Sequence, residues 1–131
     1  MIEVTDGMSE RALGWRRVNV VKDLEFCHRV GCIAGTHLVE AIHPAWGVPV
    51  GMAYYKETYD LKISIDYINV VEQLRRMGIG RAILGSIARE HPGQMLVTSM
   101  ATDLAKPFLP KVGFTAPTED RAYWAQDAKK I

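Results

Sequence analysis

A chain of 131 residues with a formal net charge of +1 is the size of one domain with its own hydrophobic core, and it carries no whole-molecule attraction for nucleic acid or an anionic membrane. An apolar fraction of 48% and a charged fraction of 24% are ordinary for a globular protein. No apolar run approaches the roughly 20 residues of a membrane span, and the polar opening MIEVTDGMSE does not read as a secretion signal, so one cytoplasmic domain over 1–131 is expected.

The first dozen residues read as a loose lead-in. RRVNVV (16–21) alternates and ends in β-branched residues, which predicts a strand. KDLEFCHRVGC (22–32) puts Leu24, Cys27 and Val30 or Gly31 near one face of a short helix. On that helix Cys27 and Cys32 would stand about 140° apart, poor geometry for joint chelation. With no C-x-x-C spacing, the nearby His28, His37 and His43 do not add up to a metal site. Three strands follow: THLVEAIH (36–43), VPVGMAYYKET (48–58) after the turn cluster HPAWG, and DLKISIDYINV (60–70). Short links between them predict an antiparallel meander. Strict alternation in the third puts Ile63, Ile65, Tyr67 and Asn69 on one face and Ser64, Asp66, Ile68 and Val70 on the other.

From Gly78 the period changes. Ile79, Ala82, Ile83 and Ile87 fall at helical spacing, and the helix should end at HPG (91–93). MLVTSMA (95–101) reads as a buried strand, and strand, helix and strand in this order predict a βαβ unit with parallel strands. TDLAKPFLP (102–110) starts like a helix capped by Thr102 or Asp103, kept short or bent by Pro107 and Pro110. KVGFTAP (111–117) and RAYWAQ (121–126) would close the sheet as a pair of strands. The fold class is therefore α+β, a single domain with a central mixed, mostly antiparallel sheet, a βαβ unit and helices packed on the sheet.

The segment QLRRMGIGRAIL (73–84) combines choices that are locally unfavourable. Glycine weakens a helix, and arginines close together repel. At a helix start, however, the first amides have no internal partner and carry about half a positive charge in effect. Gly78 and Gly80 would let an anion approach the backbone, and Arg75, Arg76 and Arg81 would add charge and forked donors. An organic diphosphate fits this chemistry.

With that turn in place, the chain resembles the GNAT superfamily of acyl-CoA-dependent N-acyltransferases. The resemblance lies in Ile68-Asn69-Val70, a turn, and Arg75-Arg76-Met77-Gly78-Ile79-Gly80, which follow the family's strand and Q/R-x-x-G-x-G/A turn. A second stretch, Thr102 to Phe114, keeps Ala105, Phe108, Lys111, Gly113 and Phe114 in the family's register. The resemblance implies an acetyl-CoA-dependent N-acetyltransferase acting on a primary amine, on a small molecule or a protein, by direct attack in a ternary complex. It implies that acetyl-CoA is held by the backbone of Ile68 and Val70, by Arg75, Arg76, Met77, Gly78, Ile79, Gly80 and Arg81, and by Thr102 and Phe108. For the base it implies Asp66 first and Glu57 second, with no metal. Two departures stand out: Leu109 occupies the position where the family often has a tyrosine to protonate the CoA thiolate, and Thr102 replaces a common asparagine. The alternative is a catalytically inactive CoA-binding or protein-interaction module on the same fold. Nucleic-acid binding by the same arginines is disfavoured by the near-neutral charge, no membrane partner is expected, and a homodimer is left open.

Overall fold

A computed structural model of the chain describes residues 20–31, 35–99 and 106–127. Among them, six strands form one sheet in chain order: β1 Glu25–Val30, β2 Thr36–Ile42, β3 Pro49–Glu57, β4 Ile63–Val70, β5 Met95–Thr98 and β6 Trp124–Asp127. β1 to β4 are an antiparallel meander, β4 and β5 are parallel, and β6 returns antiparallel to β5. Helix α1, Ile79–Glu90, makes the crossover from β4 to β5, and a single helical turn, α2, covers Phe108–Lys111. The α+β domain with a mixed, mostly antiparallel sheet and a βαβ unit is as expected.

The core lies between α1 and one face of the sheet. Ile79, Ile83, Leu84 and Ile87 of α1 are buried against Val39 and Ala41 of β2, Ala53 and Tyr55 of β3, and Ile63 and Ile65 of β4. Each large apolar side chain so buried stabilises by about 1.5–3 kcal/mol. Gly51 lets the helix lie close, since a Cβ there would sit 2.9 Å from Ile83 Cδ1 and 3.2 Å from Ile79 Cγ2.

Three expectations are corrected. The helix over 22–32 is strand β1, paired with β2 from Glu25–Ile42 to Val30–His37. Phe26 and His28 are half-buried between exposed neighbours, a period of two that pairing with β2 selects over the weak helical pattern. The angular argument on the thiols lapses with that helix; Cys27 is exposed, and Cys32 lies outside the described residues. Within the strand expected over 16–21, Val20 and Val21 belong to a 3-10 turn, Val20–Asp23, and the rest lies outside the described residues. The closing pair is reduced to β6 and two isolated bridges, Thr115 to Ala125 and Thr118 to Arg121. Pro117 cannot donate to a ladder there. Helix α2 is short, as its prolines require; the proposed caps Thr102 and Asp103 lie outside the described residues.

The fourth correction bears on the site. Tyr54 pairs with Tyr67 and Tyr55 with Ile65, so Asp66 has no partner on β3 and forms a β-bulge. A bulge reverses the alternation. Ile68 and Val70 stand opposite Ala53 and Gly51 and so share the α1 face with Ile63 and Ile65. Asp66, Tyr67 and Tyr54 are exposed on the other face.

Candidate cofactor site at the fork of the sheet

β4 is eight residues long, yet its ladder to β5 consists of Ile63 to Leu96 and Ser64 to Val97. The ladder ends there as a fork, and residues 65–70 have no strand partner on the β5 side among those described. An open edge of this kind can accept an extended ligand through backbone hydrogen bonds. The bulge at Asp66 lies at the base of the fork.

The mouth of the fork is the arginine-glycine turn. After β4, the Val71 N–H donates to the Val50 carbonyl at 2.9 Å, and a 3-10 turn, Glu72–Leu74, buries Leu74 in the core. Arg76 (φ 68°) and Gly78 (φ 87°) are both left-handed, with Met77 between them at negative φ. Alternation of this kind makes the backbone concavities that hold anions. Gly78 caps α1 without any side-chain hydrogen bond, and the first turn of α1 contains no acid. Its orphan amides and their partial positive charge are therefore unopposed by a neighbouring carboxylate. A Cβ at Gly78 would meet only Val21 Cγ2, at 3.7 Å, so the approach is open.

The arginines and glycines divide their work differently from the expectation. Arg75 donates from Nε to the Val70 carbonyl at 3.0 Å and from Nη2 to Asn69 Oδ1 at 3.2 Å, fixing the end of β4. Arg81 donates to the Lys111 carbonyl at 2.6 Å and ties α1 to α2. Arg76 and Arg81 are exposed and Arg75 is half-buried. Gly80 serves packing, because a Cβ there would stand 3.1 Å from the Phe108 ring. Phe108 and Met77 are half-buried against the core, and Ile79 is buried in it, leaving its backbone as the part a ligand could meet. Ile68 and Val70 are half-buried along the open edge, and Thr102 lies outside the described residues.

The two candidate bases are on opposite faces of the sheet. Asp66 accepts from Ser64 Oγ at 3.1 Å and stands 3.9 Å from Lys56 Nζ, beside a tilted ring pair of Tyr54 and Tyr67 with centroids 6.2 Å apart. Glu57 is instead 3.1 Å from His91 Nδ1, near the C-terminal end of α1, and pairs with Ile63 below the fork. Leu109 is buried in the core. Tyr123 accepts from Lys62 at 3.0 Å, and this bond, with that to Asp60, raises the Lys62 ammonium further above its usual range. Of the histidines, burial pushes His43 down despite Asp23 at 3.8 Å, and its Nδ1 accepts from the Ala45 N–H at 3.1 Å, holding the HPAWG turn. His28 and His37 gather with His91 around Tyr55, away from the fork.

The bulge had a signal in the sequence. The apolar residues 63, 65, 68 and 70 slip phase by one between Ile65 and Ile68. The inward commitment of Arg75 and the Gly80–Phe108 contact had none, since both depend on where distant backbone arrives.

No protein-family model and no curated protein matches the chain in sequence. Solved structures do match it in fold. A protein of Desulfovibrio desulfuricans assigned to the GNAT acetyltransferases superposes with a TM-score of 0.59 at 21% identity, over 72% of this chain and 70% of its own. A Bacillus anthracis protein assigned as a streptothricin acetyltransferase, solved with acetyl coenzyme A, gives 0.56 at 18% identity, over 73% of this chain and 64% of its own. GCN5 of Tetrahymena gives 0.58 at 10% identity, over 76% and 72%. This likeness establishes that the protein has the GNAT fold.

Proposed function

We propose that the protein is an N-acetyltransferase that binds acetyl-CoA in the fork between β4 and β5 and transfers the acetyl group to a primary amine. The observation that carries the reading is the conjunction of a β4 edge without a strand partner among the described residues and an acid-free, left-handed helix start at its mouth. Backbone amides around residues 76–81 hold the pyrophosphate, with the exposed Arg76 adding charge. The β4 edge over residues 65–70 pairs with the pantetheine arm as a strand would. A backbone N–H near Ile68 polarises the thioester carbonyl, where negative charge develops as the amine attacks. Asp66, at the bulge, takes the proton that the amine loses, directly or through water.

Leu109 favours one specific alternative. Its side chain packs in the core at the place where the family's tyrosine would stand, so it provides no acid for the departing thiolate. A CoA thiol has a pKa roughly like that of free cysteine, so release near neutral pH does not require one. A binder without transferase activity is the second reading. The two separate in one pair of measurements. Saturating acetyl-CoA should raise the melting temperature, with about 2.7 kcal/mol of stabilisation at a hundredfold excess over Kd. Free thiol should then be released from acetyl-CoA in the presence of at least one member of an amine, peptide and aminoglycoside panel. Stabilisation without release from any acceptor supports the binder, and no stabilisation by acetyl-CoA or CoA removes both readings.

Asp66→Asn should lower turnover about a hundredfold, at the low end of what a positioned base contributes, and leave the acetyl-CoA thermal shift intact. A pH–rate profile identical to that of the parent protein would assign the proton to another group.

A further inference from the structure

Under the C-terminal half of α1, at the opposite end of that helix from the glycine turn, five side chains are joined end to end. Ser86 Oγ on α1 lies 2.6 Å from His28 Nε2 on β1. His28 Nδ1 lies 3.4 Å from the Tyr55 hydroxyl on β3. That hydroxyl is 3.2 Å from Nε2 of His91, the residue capping α1, and His91 Nδ1 is 3.1 Å from Glu57 Oε1. The His37 ring stacks on Tyr55 with centroids 5.0 Å apart and meets His91 edge-on at 5.8 Å. None of these contacts belongs to the fork, and nothing in the proposed transfer uses them.

The end groups fix the direction of the chain. An ionised carboxylate only accepts, so His91 Nδ1 carries a proton toward Glu57. With His91 neutral, its bare Nε2 accepts from the Tyr55 O–H. The Tyr55 oxygen then accepts from His28 Nδ1–H, and the bare His28 Nε2 accepts from the Ser86 O–H. Every link pairs one donor with one acceptor, and the tautomers follow from the network.

One added proton is accommodated with equal completeness. On His91 Nε2 it makes that nitrogen a donor to Tyr55. The Tyr55 O–H then turns to His28 Nδ1, which must be bare, and the His28 proton moves to Nε2 and donates to Ser86 Oγ. The Ser86 proton is released toward the helix carbonyl one turn back, at Ala82. The count balances: one proton enters, the charge rests on His91 as an ion pair with Glu57, and His28 stays neutral. The surroundings agree. Burial pushes His28 down, Glu90 opposes this, and His91, Arg89 and His37 push it further down. Burial, with Glu90 and Glu57, pushes the Tyr55 hydroxyl up to about 12, so it conducts the change of direction without ionising.

We propose that Ser86, His28, Tyr55, His91 and Glu57 form a reversible one-proton relay, in which uptake at His91 reverses the hydrogen bonds and switches His28 from its Nδ1–H to its Nε2–H tautomer. The hydrogen bond between α1 and β1, Ser86 with His28, thereby reverses its direction. This inference does not depend on the proposed transferase activity.

The test is long-range 1H–15N NMR of histidine-labelled full-length protein, titrated from about pH 8 to about pH 5. His28 should exchange tautomers, uncharged, with the same midpoint at which His91 becomes charged. A His28 that keeps one tautomer, or that charges together with His91 or before it, overturns the relay. Tyr55→Phe removes the central link, and the His28 tautomer should then no longer follow the His91 charge; continued coupling overturns the proposal. Should that variant fail to fold, Glu57→Gln, at a half-exposed side chain, removes the acceptor that fixes the proton on His91 Nδ1, and an unchanged course of the His28 tautomer through the titration has the same consequence.

Discussion

Gly78→Asp should abolish the thermal stabilisation by acetyl-CoA while leaving a folded protein. The backbone at 78 is left-handed, which costs an ordinary L-residue about 1–2 kcal/mol, and aspartate less because its side chain bonds locally. No steric obstacle adds to that, since the new Cβ would meet only Val21 at ordinary contact distance. The new carboxylate would lie at the start of α1, where it stabilises the helix by engaging its orphan amides. Those are the amides assigned to the pyrophosphate, so the side chain both occupies the donors and repels the ligand. Like charges about 4 Å apart near a protein surface repel by ~4 kcal/mol. A loss of affinity of at least about a hundredfold is the expectation. Gly78→Asn separates charge from shape: it tolerates the left-handed backbone, carries no charge, and should retain a clear shift. Calorimetric titration with CoA reads both variants. An aspartate variant that binds like the parent protein places the anion elsewhere.

The parts of this site that could be read in the sequence are those made by near neighbours. Helix α1 was legible because Ile79, Ile83 and Ile87 repeat at helical spacing and HPG stops them. The fork was half legible: strand, helix and strand imply parallel β4 and β5, but not that their ladder ends at Ser64 and Val97. β1 reads as a helix in the sequence because a segment of six residues holds too few apolar positions to separate a period of two from one of 3.6. Its pairing with β2 decided the matter, and that information lies in β2. Strict alternation puts Asp66 on the face of Ile68, but the isoleucines themselves display the phase slip that moves it to the other. Gly80 reads in the sequence as an opening for a ligand, and no local rule reveals the ring of Phe108 against it. The relay shows the same limit more sharply. Its histidines are visible in the sequence, but a chain from Ser86 to Glu57 exists only once β1, β3 and α1 are in register.

Gly113→Ala should destabilise the protein by about 2–5 kcal/mol, far more than one added methyl suggests. Gly113 is the left-handed residue (φ 91°) that ends α2. Its N–H donates to the Pro110 carbonyl at 3.1 Å, and the Phe114 N–H donates to the Leu109 carbonyl at 3.0 Å, the paired bonds of a Schellman cap. The cap folds Phe114 back over Leu109, and both are buried, so this turn also fixes Leu109 in the core. Alanine would add about 1–2 kcal/mol for its left-handed backbone. Its Cβ would also lie 2.5 Å from Gln126 Nε2 and 3.3 Å from Gln126 Cγ. Gln126 is buried and donates to the Val112 carbonyl, and breaking such a bond in the interior costs about 1–3 kcal/mol. Urea unfolding measures the sum, and a double-mutant cycle divides it. In a Gln126→Ala background the clash is gone, and Gly113→Ala should cost only the backbone share. Equal costs in the two backgrounds would mean that Gln126 yields freely, leaving the left-handed backbone as the whole reason for a glycine at 113.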